Sequence, residues 1–435
     1  MKKLYIIIIP IFLLLFSNAL FAQTWVLVNT VSNPGIGPSI SVADMNTVWI
    51  ADGSPNTPKI FRSVNGGVNF TQISVTGISQ EIYCIWGTSS TNAFVGEGEV
   101  NGNARLFRTT NGGLNWISVV QTSANGGFFN GLAFTKATAS VFGLAIAEKV
   151  FRTSNNGTTW IELNSGVNGV SNAHNSLMII DNNFYGFGLN NGSARIRLTT
   201  DNANSWSNQQ VNISGNNTSA IAFHSNKLLG VAATSTSLPV IARTIDGGLT
   251  WTNVNIGAGP TGNCSINWIP NTPVVYLMGA NGIIKRSTNN GLTWITTPTS
   301  VVNLTHFDFV HAGNIIYGYA VSSNGSVIKL VDTLSVLTSN NNHNSETPKE
   351  FSLSQNYPNP FNPSTVIGFK LAVNSFASLK VYDLLGREVA TLVNENLKAG
   401  TYEFDFDGNK LSSGVYYYKL TTGSFVETKK MILIK

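Results

Sequence analysis

Charged side chains, cysteine and histidine are all scarce in this sequence, and each shortage closes off a class of function. Charged residues make up only 11% of the 435 positions, cysteine occurs twice and histidine five times. Lys2 and Lys3 supply two of the net +5, residues 23–350 carry 15 basic against 14 acidic side chains, and residues 351–435 carry nine against seven. No segment is basic enough for a nucleic-acid surface. His174, His224, His306, His311 and His343 show no ligand spacing and have no cysteine partner, so neither a metal site nor a cofactor is expected. The glycine-rich stretches fall between strands, which leaves no phosphate-cradling loop. Helix-period apolar stripes are nearly absent too. What is plentiful is Gly, Asn, Ser and Thr between β-branched and aromatic runs, and with 43% hydrophobic residues the chain reads as all-β with a large core.

The N-terminus, MKKLYIIIIPIFLLLFSNALFAQ, has two lysines, an apolar run from Leu4 to Phe16 and small or polar residues up to Ala22. This is a secretory signal over residues 1–22, and its apolar core is too short for a comfortable membrane helix. No cysteine follows the expected cut, so a lipid anchor is not expected, and no later segment is apolar enough to span a bilayer. The mature chain is expected outside the cell after Sec export, secreted or attached to the outer-membrane surface.

A nine-residue phrase then recurs: RSVNGGVNF at 62, RTTNGGLNW at 108, RTSNNGTTW at 152, LTTDNANSW at 198, RTIDGGLTW at 243 and RSTNNGLTW at 286. The steps are 46, 44, 46, 45 and 43 residues, the period of a repeat architecture. Each unit reads as four short strands. In the third these lie around GLAFTK, SVFGLAIA and KVFRTS, with the Asn/Gly turn leading into WIELN. Inner strands recur seven times. The seventh unit reaches VIKLV (327–331) without the turn or the Trp, and TWVLVN (24–29) matches the missing outer strand. Residues 23–333 are therefore expected to form a seven-bladed β-propeller closed by its own N-terminal strand, which removes open sheet edges.

The repeated phrase resembles the Asp-box of sialidase, sortilin and photosystem assembly-factor propellers, whose pattern is S/T-x-D-x-G-x-x-W. Asp201 and Asp246 keep the acid, and Asn65, Asn111, Asn155 and Asn289 replace it. The side-chain oxygen is expected to bond nearby backbone N–H groups, with Trp116, Trp160, Trp206, Trp251 and Trp294 packing between blades. Arg62, Arg108, Arg152, Arg243 and Arg286 occupy one equivalent position and point apart around the ring, which reads as structure rather than as a carboxylate-binding cluster. Cys84 and Cys264 fall on innermost strands of distant blades. A disulfide needs α-carbons within roughly 7 Å, so both are expected as buried free thiols.

From residue 334 the texture changes. Residues 334–350 are polar and aperiodic, a linker. Residues 351–435 alternate strands and turns without the repeated phrase and read as a separate β-sandwich. QNYPNPFNPST, VYDLLGREVATL, the AGTY turn, LSSGVYYYKL and the closing TKKMILIK make this segment resemble the type A C-terminal sorting domain of the type IX secretion system. The resemblance implies an immunoglobulin-like sandwich, an outer-membrane translocon and a surface sortase as partners, and release or attachment to lipopolysaccharide after cleavage.

For the propeller, binding of a glycan or a surface protein is the leading expectation, on the face built from the second-to-third and outer-to-next-inner loops. Candidate ligand-binding residues are Arg105, Phe128, Phe129 and His174. The alternative is a glycoside hydrolase of the sialidase or xyloglucanase-like propeller type, with Glu97 and Glu99 in VGEGEVNGNAR as the candidate catalytic acids. Such chemistry usually needs two carboxyls about 5 to 10 Å apart. Catalysis is not the expected role.

Overall fold

Each repeat is too short to bury both faces of its own sheet, so the units stack around an axis and each covers the next. The computed structural model describes residues 24–434 except 33–36, 53–56, 74, 99–102, 123–126, 136–141, 148, 165–176, 191, 212, 216–217, 235–239, 263, 313–314, 334–349, 409–410 and 424. Seven four-stranded antiparallel sheets form the propeller. In the third, Gly131–Phe134, Gly143–Ile146, Val150–Thr153 and Ile161–Leu163 lie side by side in chain order. The first, second, fourth, fifth and sixth blades repeat that order.

The seventh blade is built differently. Leu304–Ala312, Ile315–Ser322 and Ser326–Thr333 supply its inner three strands, and Val26–Thr30 pairs antiparallel with the last of them. Trp25, 3% exposed, therefore occupies the place held by Trp116 or Trp160 elsewhere and packs edge-on against Phe309 at 5.7 Å. The aromatic residues sit in the seams between blades. Trp116 meets Trp49 of the first blade, and Trp160 lies between Phe94 of the second and Phe134 of the third. Burying a side chain of this size is worth about 2–3 kcal/mol.

The repeated turn works through one oxygen. Asn65 Oδ1 accepts from the backbone N–H of Asn69 at 3.0 Å, and Asp246 Oδ1 from that of Thr250 at 2.9 Å. The same bond is made by Asn111, Asn155, Asp201 and Asn289. Only one acceptor atom is needed, so an amide serves as well as an acid. The buried hydroxyl two residues earlier, Ser63 or Thr109 for example, accepts from the backbone N–H of Gly67 or Gly113 at 2.9 Å. Gly157 shows why glycine is favoured there: its φ is +71°, and a β-carbon would lie 2.2 Å from the Phe94 ring. The fourth turn places Ala203 at the same position with φ 66°.

The arginines reach across blades. Arg62 Nη1 donates to the carbonyls of Ser90 and Gly112, Arg243 Nε to that of Asn290 at 2.7 Å, and Arg152 to that of Asn202 at 3.0 Å. Lys329 stands at the matching register, opposite Tyr319 as Arg62 is opposite Trp49, and its Nζ donates to the carbonyl of Gly66 at 3.0 Å. That contact joins the seventh blade to the first. Three residues further on, Asp332 holds the place of Asn65, but here the strand continues instead of turning. Its carboxylate, 1% exposed, takes Arg286 at 2.9 Å and the Tyr276 hydroxyl at 2.7 Å. Burial, reinforced by Asp332, pushes the Tyr276 phenol far above its ordinary pKa, so it remains the donor.

Cys84 and Cys264 are free and buried, in the inner strands of the second and sixth blades. The C-terminal unit is a sandwich of a three-stranded and a four-stranded sheet around Phe369, Leu379, Tyr402 and Tyr418. Its proline-punctuated opening is clipped to the final strand: Phe361 N–H donates to the Ile432 carbonyl at 2.8 Å, and Ile432 N–H donates to Asn359 Oδ1 at 2.9 Å.

Removing one partner of a buried ion pair strands the other charge, at a cost of about 3–5 kcal/mol. Asp332→Ala is therefore expected to lower the propeller's thermal midpoint markedly. Lys149→Ala, which breaks the exposed pair with Glu162, is expected to leave it nearly unchanged, as read in parallel calorimetric scans.

Candidate functional site

Antiparallel order within each blade puts the repeated turns at one end of the ring and the second-to-third loops at the other. At the loop end, Glu97 closes the strand Ala93–Glu97 and Arg105 opens the next, Arg105–Thr109, so the hairpin brings them together. Glu97 is fully buried. Its Oε2 accepts Arg105 Nε at 2.7 Å, and its Oε1 accepts Arg105 Nη2 at 3.0 Å and the backbone N–H groups of Ser79 and Gln80 at 2.7 and 2.8 Å. The carboxylate thus ties the connection arriving from the first blade onto the second. Arg105 also lies 5.0 Å over the Phe107 ring. Glu99 and His174 lie outside the described residues.

The two phenylalanines of NGGFFNG divide. Phe129 is buried, its carbonyl accepting from Cys84 Sγ and its ring 5.7 Å from Phe151, so it fills the seam between the second and third blades. Phe128 is 41% exposed and lies 4.9 Å from the Tyr83 ring. Tyr83 owes its direction to a bulge: Ile82 pairs with Glu97 and Cys84 with Gly96, so Tyr83 is the extra residue of the register shift between them. Its hydroxyl donates to Glu81 Oε2 at 2.8 Å. Burial, then Glu81, pushes this phenol up to about 12. Gly98 lies beside the pair, where a β-carbon would come 2.9 Å from Tyr83 and 3.3 Å from Phe128. The result is an aromatic platform with a carboxylate beside it, chemistry suited to a sugar ring and its hydroxyls. Tyr83 and Glu81 carried no signal in the sequence, because nothing in EIYCIW marks the bulge.

On the axis, towards the turn end, a cavity of about 480 Å³ is lined by inner strands of the second to seventh blades. Trp86, Phe134, Met178, Phe223, Trp268 and Phe309 form much of its wall. The polar groups along it are largely committed. Asp308 accepts from the Val42 N–H at 2.8 Å and from Asn267 Nδ2 at 3.0 Å, and His306 Nδ1 accepts from the Ile40 N–H at 3.1 Å. The Phe at the fourth inner position of GLAF and AIAF, and again in HFDF, was the available sequence sign of this aromatic wall. The buried His224, next to Phe223 in the chain, places its ring 5.5 Å from Trp268, with Nδ1 accepting from the Asn226 N–H.

Residues 355–435 match the family described as "Secretion system C-terminal sorting domain". The chain thus carries a type IX secretion sorting domain, which marks it for export to the cell surface or beyond. No curated protein matches the sequence. Among solved structures, YCF48 from Cyanidioschyzon merolae is 17% identical with a TM-score of 0.53, covering 71% of this chain and 98% of that one. YCF48 bound to D1 peptide is 14% identical with a TM-score of 0.52, covering 72% and 97%. PorZ, a surface component of the type-IX secretion system of Porphyromonas gingivalis, is 14% identical with a TM-score of 0.47, covering 91% and 59%. At such identities the YCF48 likenesses establish the propeller fold alone.

Two outcomes follow from these groups. Glu97→Gln replaces an acceptor-only group with one that turns an N–H₂ towards Arg105 or a backbone N–H, and about 2–4 kcal/mol of stability should be lost in denaturant titration. Burial holds His224 down to about 4. Its unfolded counterpart takes up a proton near 6.5, so the unfolded state binds more protons between those values and stability falls as pH drops through that window. The loss is on the order of 3 kcal/mol. His224→Asn, which keeps an acceptor for Asn226, should show a correspondingly shallower fall in thermal midpoint from pH 7 to pH 4.

Proposed function

We propose that this chain is an exported binding protein, displayed on or released from the cell surface, whose propeller holds a carbohydrate across the Tyr83–Phe128 platform. The observation that carries this reading is the half-exposed aromatic pair, re-aimed by a bulge, with Glu81 beside it and Gly98 keeping its flank open. Ring faces stack on the apolar face of a sugar, and a carboxylate accepts from its hydroxyls. The reading extends to the remaining segments. Residues 1–22 are the secretory signal, residues 334–350 the linker in which a surface sortase cuts, residues 351–435 the translocon address, and the repeated turns are Asp-boxes serving as staples.

The hydrolase alternative is weaker. A general acid or nucleophile must be free to exchange a proton or attack, and the Glu97 oxygens are taken by Arg105 and two backbone N–H groups. YCF48 has been solved with a D1 peptide, which makes a polypeptide the second class of ligand to test.

The test is a screen of the purified chain against a glycan array, followed by calorimetric titration of the strongest binder. Phe128→Ala and Tyr83→Ala are each expected to weaken binding about ten-fold, a loss of about 1.4 kcal/mol, with the thermal midpoint little changed for the exposed Phe128. Unaltered affinity in both variants, or binding only to peptides, would sink the platform. Release of reducing ends from any bound glycan would restore the hydrolase.

A further inference from the structure

The axial cavity is a separate matter from the platform, since it opens from the opposite end of the ring. Protein interiors are packed to near-crystalline density, and the voids left in them seldom exceed a water molecule. A space of about 480 Å³ lies instead in the range of small-molecule sites, roughly 300–1,000 Å³. Its wall is dominated by aromatic and aliphatic side chains, so water inside would find few partners.

The polar atoms narrow the choice of occupant. Asp308, Asn267 and His306 are bonded to one another or to the first blade, as described above. Among the described lining residues, His311 Nδ1 is the buried polar side-chain atom left without a hydrogen-bond partner. His311 sits where the seventh blade's inner hairpin outruns the others: its inner strand has 9 residues, against 4 in the fifth blade. The described lining residues include no Lys or Arg, and they do include the Asp308 carboxylate. An anionic group would therefore enter against a like charge, with no cation among the described lining residues to meet it.

We infer that the axial cavity is a second ligand site, taking a compact neutral aromatic group whose one N–H or O–H bonds His311 Nδ1. An orphaned buried acceptor and an apolar wall are satisfied together by one such group, and by neither water nor a plain hydrocarbon. The group can arrive as a free small molecule or as the side chain of a peptide, and the two sources share this chemistry.

Indole is the probe, with 1-methylindole as its partner lacking the N–H, each titrated calorimetrically into the purified chain. Indole is expected to bind, and 1-methylindole to bind about five- to ten-fold more weakly, the value of one hydrogen bond. His311→Ala should erase that difference by weakening indole alone. Ala222→Leu, which fills the cavity from the fifth blade's inner strand, should abolish binding of both. N-acetyltryptophanamide distinguishes the sources: tighter binding than indole marks a peptide side chain, weaker binding a free molecule. No indole binding at millimolar concentration would overturn the inference, as would an N–H preference that survives His311→Ala. The histidine comparison stands even where Ala222→Leu fails to fold. Glycan binding at the platform is independent of every arm.

Discussion

Everything in the propeller depends on closing the ring. A four-stranded sheet of this length leaves two apolar faces and two edges, and only a neighbour on each side can cover the faces. Six junctions can be made by chain neighbours. The last must join the end of the propeller to its beginning: the strand Val26–Thr30 completes the seventh sheet, Trp25 anchors that strand in the seam between the sixth and seventh blades, and Lys329 reaches the Gly66 carbonyl of the first. Side chains near the axis add to it, because Asp308 and His306 take backbone N–H groups of the first blade.

The arginines and the repeated turn belong to the same design. A turn that brackets itself with one carboxamide or carboxylate oxygen presents its remaining carbonyls outward, and the arginine of the preceding blade collects them. Where the seventh blade has no turn to offer, the acid at the same position stays in the strand and receives Arg286 directly. The result is a buried ion pair at the sixth-to-seventh junction, whereas Arg62, Arg152 and Arg243 at other junctions bond backbone carbonyls. A charge-assisted contact there replaces a lost backbone acceptor, which explains why it tolerates burial.

The two ends of the ring are left with different chemistry. At the loop end, a bulge aims Tyr83 at the exposed Phe128 ring beside a carboxylate, and the side-chain-free Gly98 leaves the pair room. On the axis, the largely apolar inner strands leave a space their own side chains do not fill. The export address stands apart from both. Its asparagine- and proline-rich opening, which reads as a recognition signature, acts within the sandwich as a clip onto the final strand.

By itself the sequence determined the architecture, because architecture here is periodic. A repeat in the mid-forties, a recurring turn phrase and an orphan strand at the N-terminus specify seven sheets and their closure, and the burial of Trp116 and Trp251 follows from the phrase they end. The sorting domain was legible for a similar reason, a multi-part signature spread over its whole length. The candidate sites were not. Glu97 and Arg105 could be named as neighbours, yet only the folded hairpin decided that they bond each other and the incoming backbone. Phe128 and Phe129 are adjacent and chemically identical, and the seam between two blades decided that one is buried and the other exposed. Tyr83, Glu81 and His311 gave no sign, since a bulge, an extended hairpin and an axial void arise from strands far apart in the chain. Periodicity is a local property that sequence records, whereas the direction of a side chain is set by what packs against it.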